Sequence, residues 1–308
     1  MHEPPHETRG RGESSGMPRI SIVTPSYNQG RFLDAAMRSV LEQGYPDLEY
    51  IVVDGGSTDE SRAIIERHAA RLHWWASEPD QGHAHALNKG FARSTGEIMA
   101  WLNSDDLYLP WAFRVVAEIF TRFPEVEWIT GLDAWWNDRG ELTRARLMPR
   151  NVHDYLLGSE HCIQQESVFW RRSLWDRVGA RLDEGMRYMV DTELWCRFFP
   201  SAPLHSVECI LAGYRVHGAN RALVHHAECA RESAQAVARL RERCSSEVLG
   251  LNRVLERARR FRTGALARVL PAQRINRMLR AGAIEQARYP TIVYGANGWE
   301  RSSLPFTP

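Results

Sequence analysis

The run Tyr50-Ile51-Val52-Val53-Asp54-Gly55-Gly56-Ser57-Thr58-Asp59 decides the fold. Glu49–Asp54 reads as a strand, and its unbroken apolar centre fits burial on both faces, since a half-exposed strand would alternate. Gly55–Thr58 is a turn, where the glycines leave the backbone open for close approach. Ser57 or Thr58 caps the helix that follows, and Asp59 and Glu60 fall in its positive first turn. Ile64, Ile65, His68, Ala69 and Leu72 mark that helix's inner face.

The same rhythm extends both ways. Upstream, Arg19–Thr24 is a short β-branched strand, Pro25–Asn28 a turn, and Gln29–Gln43 a helix carrying Phe32, Ala36 and Val40 on one side, stopped by Gly44. Downstream, His73–Ala76 is a third strand, Ser77–Gly82 a loop, His83–Ala92 a helix, Glu97–Leu102 a fourth strand and Asn103–Asp106 its terminal loop. Pro110 opens a helix to about Arg122. Strands alternating with helices predict an α/β fold with a mostly parallel sheet and right-handed crossovers. Beyond it, Trp128–Trp135 and Leu142–Leu147 read as strands around an Asn137–Gly140 turn, Gln165–Trp170 as a strand, Asp191–Phe199 as a helix, and Leu204–Val216 as one or two strands.

Three divisions follow: a flexible leader over 1–17, a main domain over 18–230 with halves meeting near 107, and an Arg-rich helical extension over 231–308. In the last, Val237, Leu240, Cys244, Val248, Leu251, Leu255 and Ala258 recur at helical steps, Pro271 breaks the pattern, and a second basic helix covers 272–282. The final twenty residues show no readable pattern.

Composition narrows the function. The 308 residues carry a net charge of +1, which argues against a general nucleic-acid binder. The balance is uneven: residues 231–308 sum to +9, leaving 1 − 9 = −8 elsewhere, and Lys89 is the single lysine. Five cysteines without a CxxC pair point to reduced, cytosolic thiols rather than a disulfide frame or zinc ribbon. There is no apolar signal segment at the start, and the longest apolar stretches are too short to span a bilayer.

In open α/β sheets ligands bind beyond the carboxyl ends of the strands. Thr24–Asn28, Asp54–Asp59, Glu78–Gly82 and Asn103–Asp106 all fall there. Paired carboxylates such as Asp105 and Asp106 suit Mg²⁺ or Mn²⁺ completed by substrate phosphates, or else a plain helix cap. Asp54 suits a ribose hydroxyl or a nucleobase N–H, or else a turn-and-cap cluster. No GxGxxG follows the first strand, which disfavours a dinucleotide site of that type.

These residues carry a resemblance. Ile20-Ser21-Ile22-Val23-Thr24-Pro25-Ser26-Tyr27-Asn28, the Asp54 run, Ser77-Glu78-Pro79-Asp80-Gln81-Gly82 with Ala86-Leu87-Asn88-Lys89-Gly90, and Trp101-Leu102-Asn103-Ser104-Asp105-Asp106 together resemble an inverting glycosyltransferase of family 2 with the GT-A fold. The resemblance implies that Thr24, Pro25, Tyr27 and Asp54 line the nucleoside site and that Asp80 and Lys89 add donor contacts. It implies a metal motif Asp-x-Asp, here Asn103-Ser104-Asp105, so Asp105 becomes the main protein ligand to Mn²⁺ or Mg²⁺. Met189-Val190-Asp191-Thr192-Glu193-Leu194-Trp195 resembles the family's acidic block, with Asp191 as base and Glu193 as substitute. Tyr214-Arg215-Val216-His217 resembles a late block whose His reaches the metal or the diphosphate, and Gln164-Gln165-Glu166-Ser167 an acceptor-side loop; His83, His85 and His161 stay unassigned.

The implied activity is transfer of a sugar from a nucleoside-diphosphate sugar, a UDP-sugar favoured, to the hydroxyl of a glycan or lipid-linked acceptor, with inversion, in surface polysaccharide or glycolipid synthesis. The rivals are a degenerate glycan- or partner-binding module and a sugar-nucleotide nucleotidyltransferase; the latter needs a Gly- and basic-rich triphosphate loop that residues 24–29 do not supply. The Arg-rich extension packs on the core, rests on an anionic membrane surface at the inner face of a cytoplasmic membrane, or pairs with a second subunit.

Overall fold

The computed structural model describes residues 16–158, 163–218, 220–263 and 286–306. Most of the leader, His161, Cys162 and the basic helix expected over 272–282 lie outside the described residues. The first half runs β1 (Ile20–Ser26), α1 (Gly30–Leu41), β2 (Leu48–Asp54), α2 (Ser61–His68), β3 (Trp74–Ser77), α3 (His83–Phe91), β4 (Ile98–Trp101), β5 (Leu107–Tyr108) and α4 (Ala112–Arg122). The second half holds β6 (Trp128–Thr130), β7 (Asp133–Trp136), β8 (Leu142–Arg146), α5 (Val152–Leu156), β9 (Val168–Arg171), α6 (Arg172–Arg177), α7 (Val190–Phe198), β10 (His205–Val207) and β11 (Ala212–Arg215). After these come α8 (Arg221–Val224), α9 (His226–Arg243), α10 (Ser246–Thr263), β12 (Tyr289–Gly295) and β13 (Gly298–Leu304).

Nine strands form one sheet in the order β13-β12-β10-β6-β9-β4-β1-β2-β3, and β5-β11-β7-β8 form a second. The large sheet is mostly parallel; only β9 and β13 run against their neighbours. β1 lies between two parallel partners, with Ser26 opposite Asp54 on β2 and Val23 opposite Trp101 on β4. Every residue of β1 is buried, so the unbroken apolar reading of the first strands holds. The loops after β1, β2 and β4 therefore open at one edge.

The core is aromatic. Trp195 on α7 stacks on Trp101 of β4 and on Trp128 of β6, with ring centroids 5.7 Å apart in each pair. Trp170 of β9 meets Trp101 edge-on at 5.6 Å. These rings join α7, which carries Asp191, to strands β4, β6 and β9, and such pairs favour offset or edge geometry.

Three sequence expectations change. The single strand expected over Trp128–Trp135 is two strands in two sheets, because Gly131 N–H donates to Ser167 while Leu132 N–H switches to Cys209. The long helix breaks at Cys244, whose backbone is extended, and the Ser245 hydroxyl caps α10 by accepting from Val248 N–H at 3.3 Å. The patternless end is a hairpin: β12 pairs parallel with β10 and antiparallel with β13, so residues 231–308 are not wholly helical.

Helix α3 packs directly on β1 and β2 because Gly90 leaves room: a Cβ there would sit 2.4 Å from Val23 Cγ1 and 3.3 Å from Val53 Cγ2. Helix propensity alone would favour alanine at this position by about 1 kcal/mol, but overpacking a tight core costs about 1–3 kcal/mol. The steric effect wins, so Gly90→Ala is expected to lower unfolding free energy in urea titration; a rise in stability would show that α3 has slack against the sheet.

Candidate functional site

Asp54 ends β2 with its carboxylate fully buried. It accepts from Ser57 N–H (3.0 Å), Ser57 Oγ (2.5 Å) and Ser77 Oγ (2.7 Å). A carboxylate offers about four lone-pair sites, so one remains. The first two loops are knitted together: Asn28 N–H donates to Ser57 Oγ at 2.7 Å, and Thr58 N–H to Asn28 Oδ1 at 2.9 Å. Gly56 takes φ +80°, and a Cβ there would meet Pro79 N at 3.0 Å, so this position needs glycine. Asp80 lies beside Gly55 and accepts from Gly82 N–H at 2.7 Å.

The expected donor residues divide. Tyr27 is 63% exposed, open to a ligand. Thr24 and Pro25 are buried, and Thr24 Oγ1 accepts from Tyr50 at 3.0 Å, so Thr24 supports the floor rather than presenting its hydroxyl. Lys89 is engaged by Glu78 in an ion pair.

Asp105 and His217 do come together: His217 Nε2 lies 3.0 Å from Asp105 Oδ2, although 112 residues separate them. The His217 ring packs on Phe32 at 4.8 Å, which ties the pair to α1. Among the described residues no group of three or more His, Cys, Asp or Glu side chains forms a cation cage. A carboxylate and an imidazole nonetheless suit Mn²⁺, or Mg²⁺ less well, when substrate phosphates complete the shell.

Asn103 is fully engaged and does not point its oxygen at that pair. His83 Nε2–H donates to Asn103 Oδ1 at 3.1 Å, while Asn103 Nδ2 donates to Gln165 Oε1 (3.1 Å) and Asp106 Oδ2 (3.3 Å). Gln165 in turn donates to the Trp101 carbonyl at 2.6 Å, and Arg215 N–H to Asp106 Oδ1 at 2.9 Å. Sequence reading left His83 unassigned and gave Gln165 only a loop role. Their side chains lie 20 and 62 residues from Asn103, beyond any local pattern.

Electrostatics here follow from crowded acids in a low dielectric. Burial lifts Asp106 well above the usual carboxylate range, and Asp105 adds to the lift. Burial lifts Glu166 likewise, with Asp106 the next cause and Asp191 a smaller one. Burial pushes His83 down to about 4, helped by the Arg221 charge, so this imidazole is neutral near pH 7.

Asp191 sits in the first turn of α7, half-buried, and burial raises its carboxyl to about 6. Thr192 N–H donates to it at 2.7 Å. Glu193, the expected substitute, is instead buried against Arg197 at 2.8 Å. The segment before Asp191 is held from α9: Glu232 accepts from the N–H groups of Arg187, Tyr188 and Met189 at 3.1, 2.9 and 3.0 Å. Burial works against the Glu232 charge, but these three donors outweigh it and hold the carboxyl below its ordinary range.

The sequence profile of Glycosyl transferase family 2 matches residues 21–177, just over half of the chain. The chain belongs to this family. An uncharacterized glycosyltransferase of Nostoc sp. is 29% identical over 221 residues, covering 66% of each chain. A Bacillus subtilis protein named as a teichuronic acid biosynthesis glycosyltransferase is 39% identical over 92 residues, 29% of this chain and 36% of that one. The matched span is just under two thirds of the Nostoc relative and 36% of a Rickettsia conorii glycosyltransferase. Among solved structures, Staphylococcus aureus TarS 1–349 in complex with UDP-GlcNAc superposes with a TM-score of 0.62 at 14% identity, covering 87% of this chain and 80% of that one. A Pyrobaculum calidifontis mannosyltransferase in complex with GDP-Man and Mn²⁺ gives 0.51 at 19%, covering 88% and 86%. These likenesses carry the GT-A fold.

Asn103→Asp, which would restore the family's Asp-x-Asp, is expected to destabilise this protein. A carboxylate would face Gln165 Oε1 and Asp106 with no proton to give, at about 1–3 kcal/mol. The introduced acid would have a raised folded pKa, so the loss is full near pH 8 and shrinks as pH falls and the group protonates. Urea titrations at pH 5 and pH 8 check this; an equal or greater stability of the variant at pH 8 would contradict the network.

Proposed function

We propose that this family-2 glycosyltransferase moves a sugar from a nucleoside-diphosphate sugar to an acceptor hydroxyl with inversion, in the synthesis of a surface polysaccharide or glycolipid. The observation that carries the reading is the Asp105–His217 pair at 3.0 Å on the strand-end rim that also holds Asp54. A UDP-sugar is favoured: exposed Tyr27, on the loop that Asn28 ties to Ser57 beside Asp54, suits stacking on the base. The UDP-GlcNAc bound in the TarS complex supports the same choice. The acceptor is a glycan or lipid-linked hydroxyl, and no nucleic-acid role is assigned.

Asp105 and His217 would hold a Mn²⁺ or Mg²⁺ ion, which when bound neutralises charge on the diphosphate. Asp54, buried beneath the loops, would shape the nucleoside site by holding Ser57 and Ser77 in place. Neutral His83 and Asn103 brace the loop without adding charge beside the acids. Asp191, lifted to about 6, is ionised near neutral pH yet basic enough to take the acceptor hydroxyl proton as that oxygen attacks the anomeric carbon. Attack opposite the diphosphate inverts the centre, so no Ser or Cys nucleophile is required.

The amide at position 103 favours a second reading, a binding module without turnover. Release of UDP from a panel of UDP-sugars with Mn²⁺ separates the two: no release from any of them, with or without acceptor, sinks the transferase reading. Asp105→Ala is expected to abolish the Mn²⁺-dependent part of that release. Turnover should rise about tenfold per pH unit below pH 6 and level off above about pH 7, because only ionised Asp191 accepts the proton. Asp191→Asn should leave the UDP melting shift intact and cut the rate about 10²–10⁴-fold. A profile that stays flat from about pH 5 to 8 in the native enzyme removes Asp191 from this role.

A further inference from the structure

The small sheet carries a charged feature that the reaction above does not use. Strand β8 is exposed along its whole length. From it, Arg144 and Arg146 place their guanidinium carbons 4.3 and 4.9 Å from the centroid of the Trp135 ring on β7. Stacking on an indole fixes a guanidinium plane while leaving its N–H edges open to oxyanions. Arg150 takes the neighbouring carboxylate of Asp133 at 3.2 Å, Arg146 reaches it only at 4.0 Å, and Arg144 makes no ion pair among the described residues. Burial and then the Arg144 charge push Arg146 below its ordinary range, a sign that positive charge here is under-compensated.

This charge borders a groove. Trp135, Trp136, Asn137, Thr143, Arg144 and Val216 line about 440 Å³, within the size range of small-ligand pockets. The groove adjoins the transfer site: Val216 N–H donates to Trp136 O at 2.9 Å, and the next residue is His217, 3.0 Å from Asp105.

We infer that this groove is an acceptor subsite for a glycan bearing oxyanions, carboxylate or phosphodiester, clasped by the stacked Arg144 and Arg146. The inference rests on the transferase reading for the word acceptor, whereas the anion site itself rests on the groove. Charge complementarity selects the anionic chain over a neutral one, since Arg144 and Arg146 both lie against Trp135 while the Asp133 carboxylate is held by Arg150 and reached by Arg146 only at 4.0 Å. The groove's place beside the Asp105–His217 pair selects a glycan over a bilayer.

The test uses the full chain with polygalacturonate, polyglycerol phosphate and neutral dextran as probes, and anionic phospholipid vesicles as a fourth arm, with UDP plus Mn²⁺ melting shifts in parallel. The native chain should bind one or both anionic polymers and not dextran; the two polymers tell carboxylate from phosphodiester. Arg144→Gln with Arg146→Gln should weaken that binding roughly tenfold or more and leave the UDP shift unchanged, while Asp105→Ala should lose the UDP shift and keep polymer binding. The paired Arg→Lys variant keeps the charge but loses the planar fork, so its affinity should fall between. Undiminished polymer binding by the Gln pair, equal binding of dextran, or an effect confined to the vesicles would overturn the inference. A native chain that shows no UDP shift but still binds polymer through these arginines supports the anion site and removes the transferase reading instead.

Discussion

Everything at the strand-end rim depends on β1 having a parallel partner on each side. Parallel strands cannot be joined by tight turns, so each must be followed by a crossover, and the polar loops after β1, β2 and β4 gather at one edge. The arrangement demands side chains that tolerate burial on both faces, so the polar residues inside these strands, Ser21, Thr24 and Glu49, are hydrogen-bonded within the protein, and the open loops begin after Ser26, Asp54 and Leu102. Gly90 sharpens the geometry by letting α3 sit on the sheet, and α3 begins with the His83 that braces the loop at Asn103.

The second constraint is charge. Asp105, Asp106, Glu166 and Asp191 share one poorly solvated region, and burial resists ionisation of the last three. A further acid at position 103 would raise that cost. An amide resolves the conflict, because it donates to Asp106 and Gln165 and accepts from His83 at once. The same desolvation that burdens the region lifts the Asp191 carboxyl to about 6, which matches the role proposed for it. Glu193, one turn face away, has its charge cancelled by Arg197 and serves the helix instead.

The Arg-rich segment is part of this machinery in its described residues. Helix α9 packs against α7 and delivers Glu232 to three successive backbone donors just before Asp191. The closing hairpin extends the large sheet beyond β10 and is tied to α4 by Trp299 donating to Glu118 at 3.1 Å and to the following turn by Arg301 with Glu125. Its outer strand is largely exposed and bears Glu300 and Arg301, charges that discourage edge-to-edge pairing. No described helix is long and apolar enough to cross a membrane.

By itself the sequence determined the α/β alternation from Arg19 to Arg122 and the position of four loops at one edge, and it singled out Asp54, Asp105, Asp191 and His217 as candidate site residues. Those features were legible because strand and helix periods, caps and breakers act over a few residues. Tertiary structure alone decided that Thr24 faces inward, that Lys89 is taken by Glu78, and that Asn103 answers to His83 and Gln165. It also decided that Trp128–Trp135 splits between sheets and that the patternless end becomes a hairpin. Each of these turns on which partner satisfies a polar group or a strand edge, and a partner 11 residues away, as Glu78 is from Lys89, or 62, as Gln165 is from Asn103, leaves no mark in local spacing.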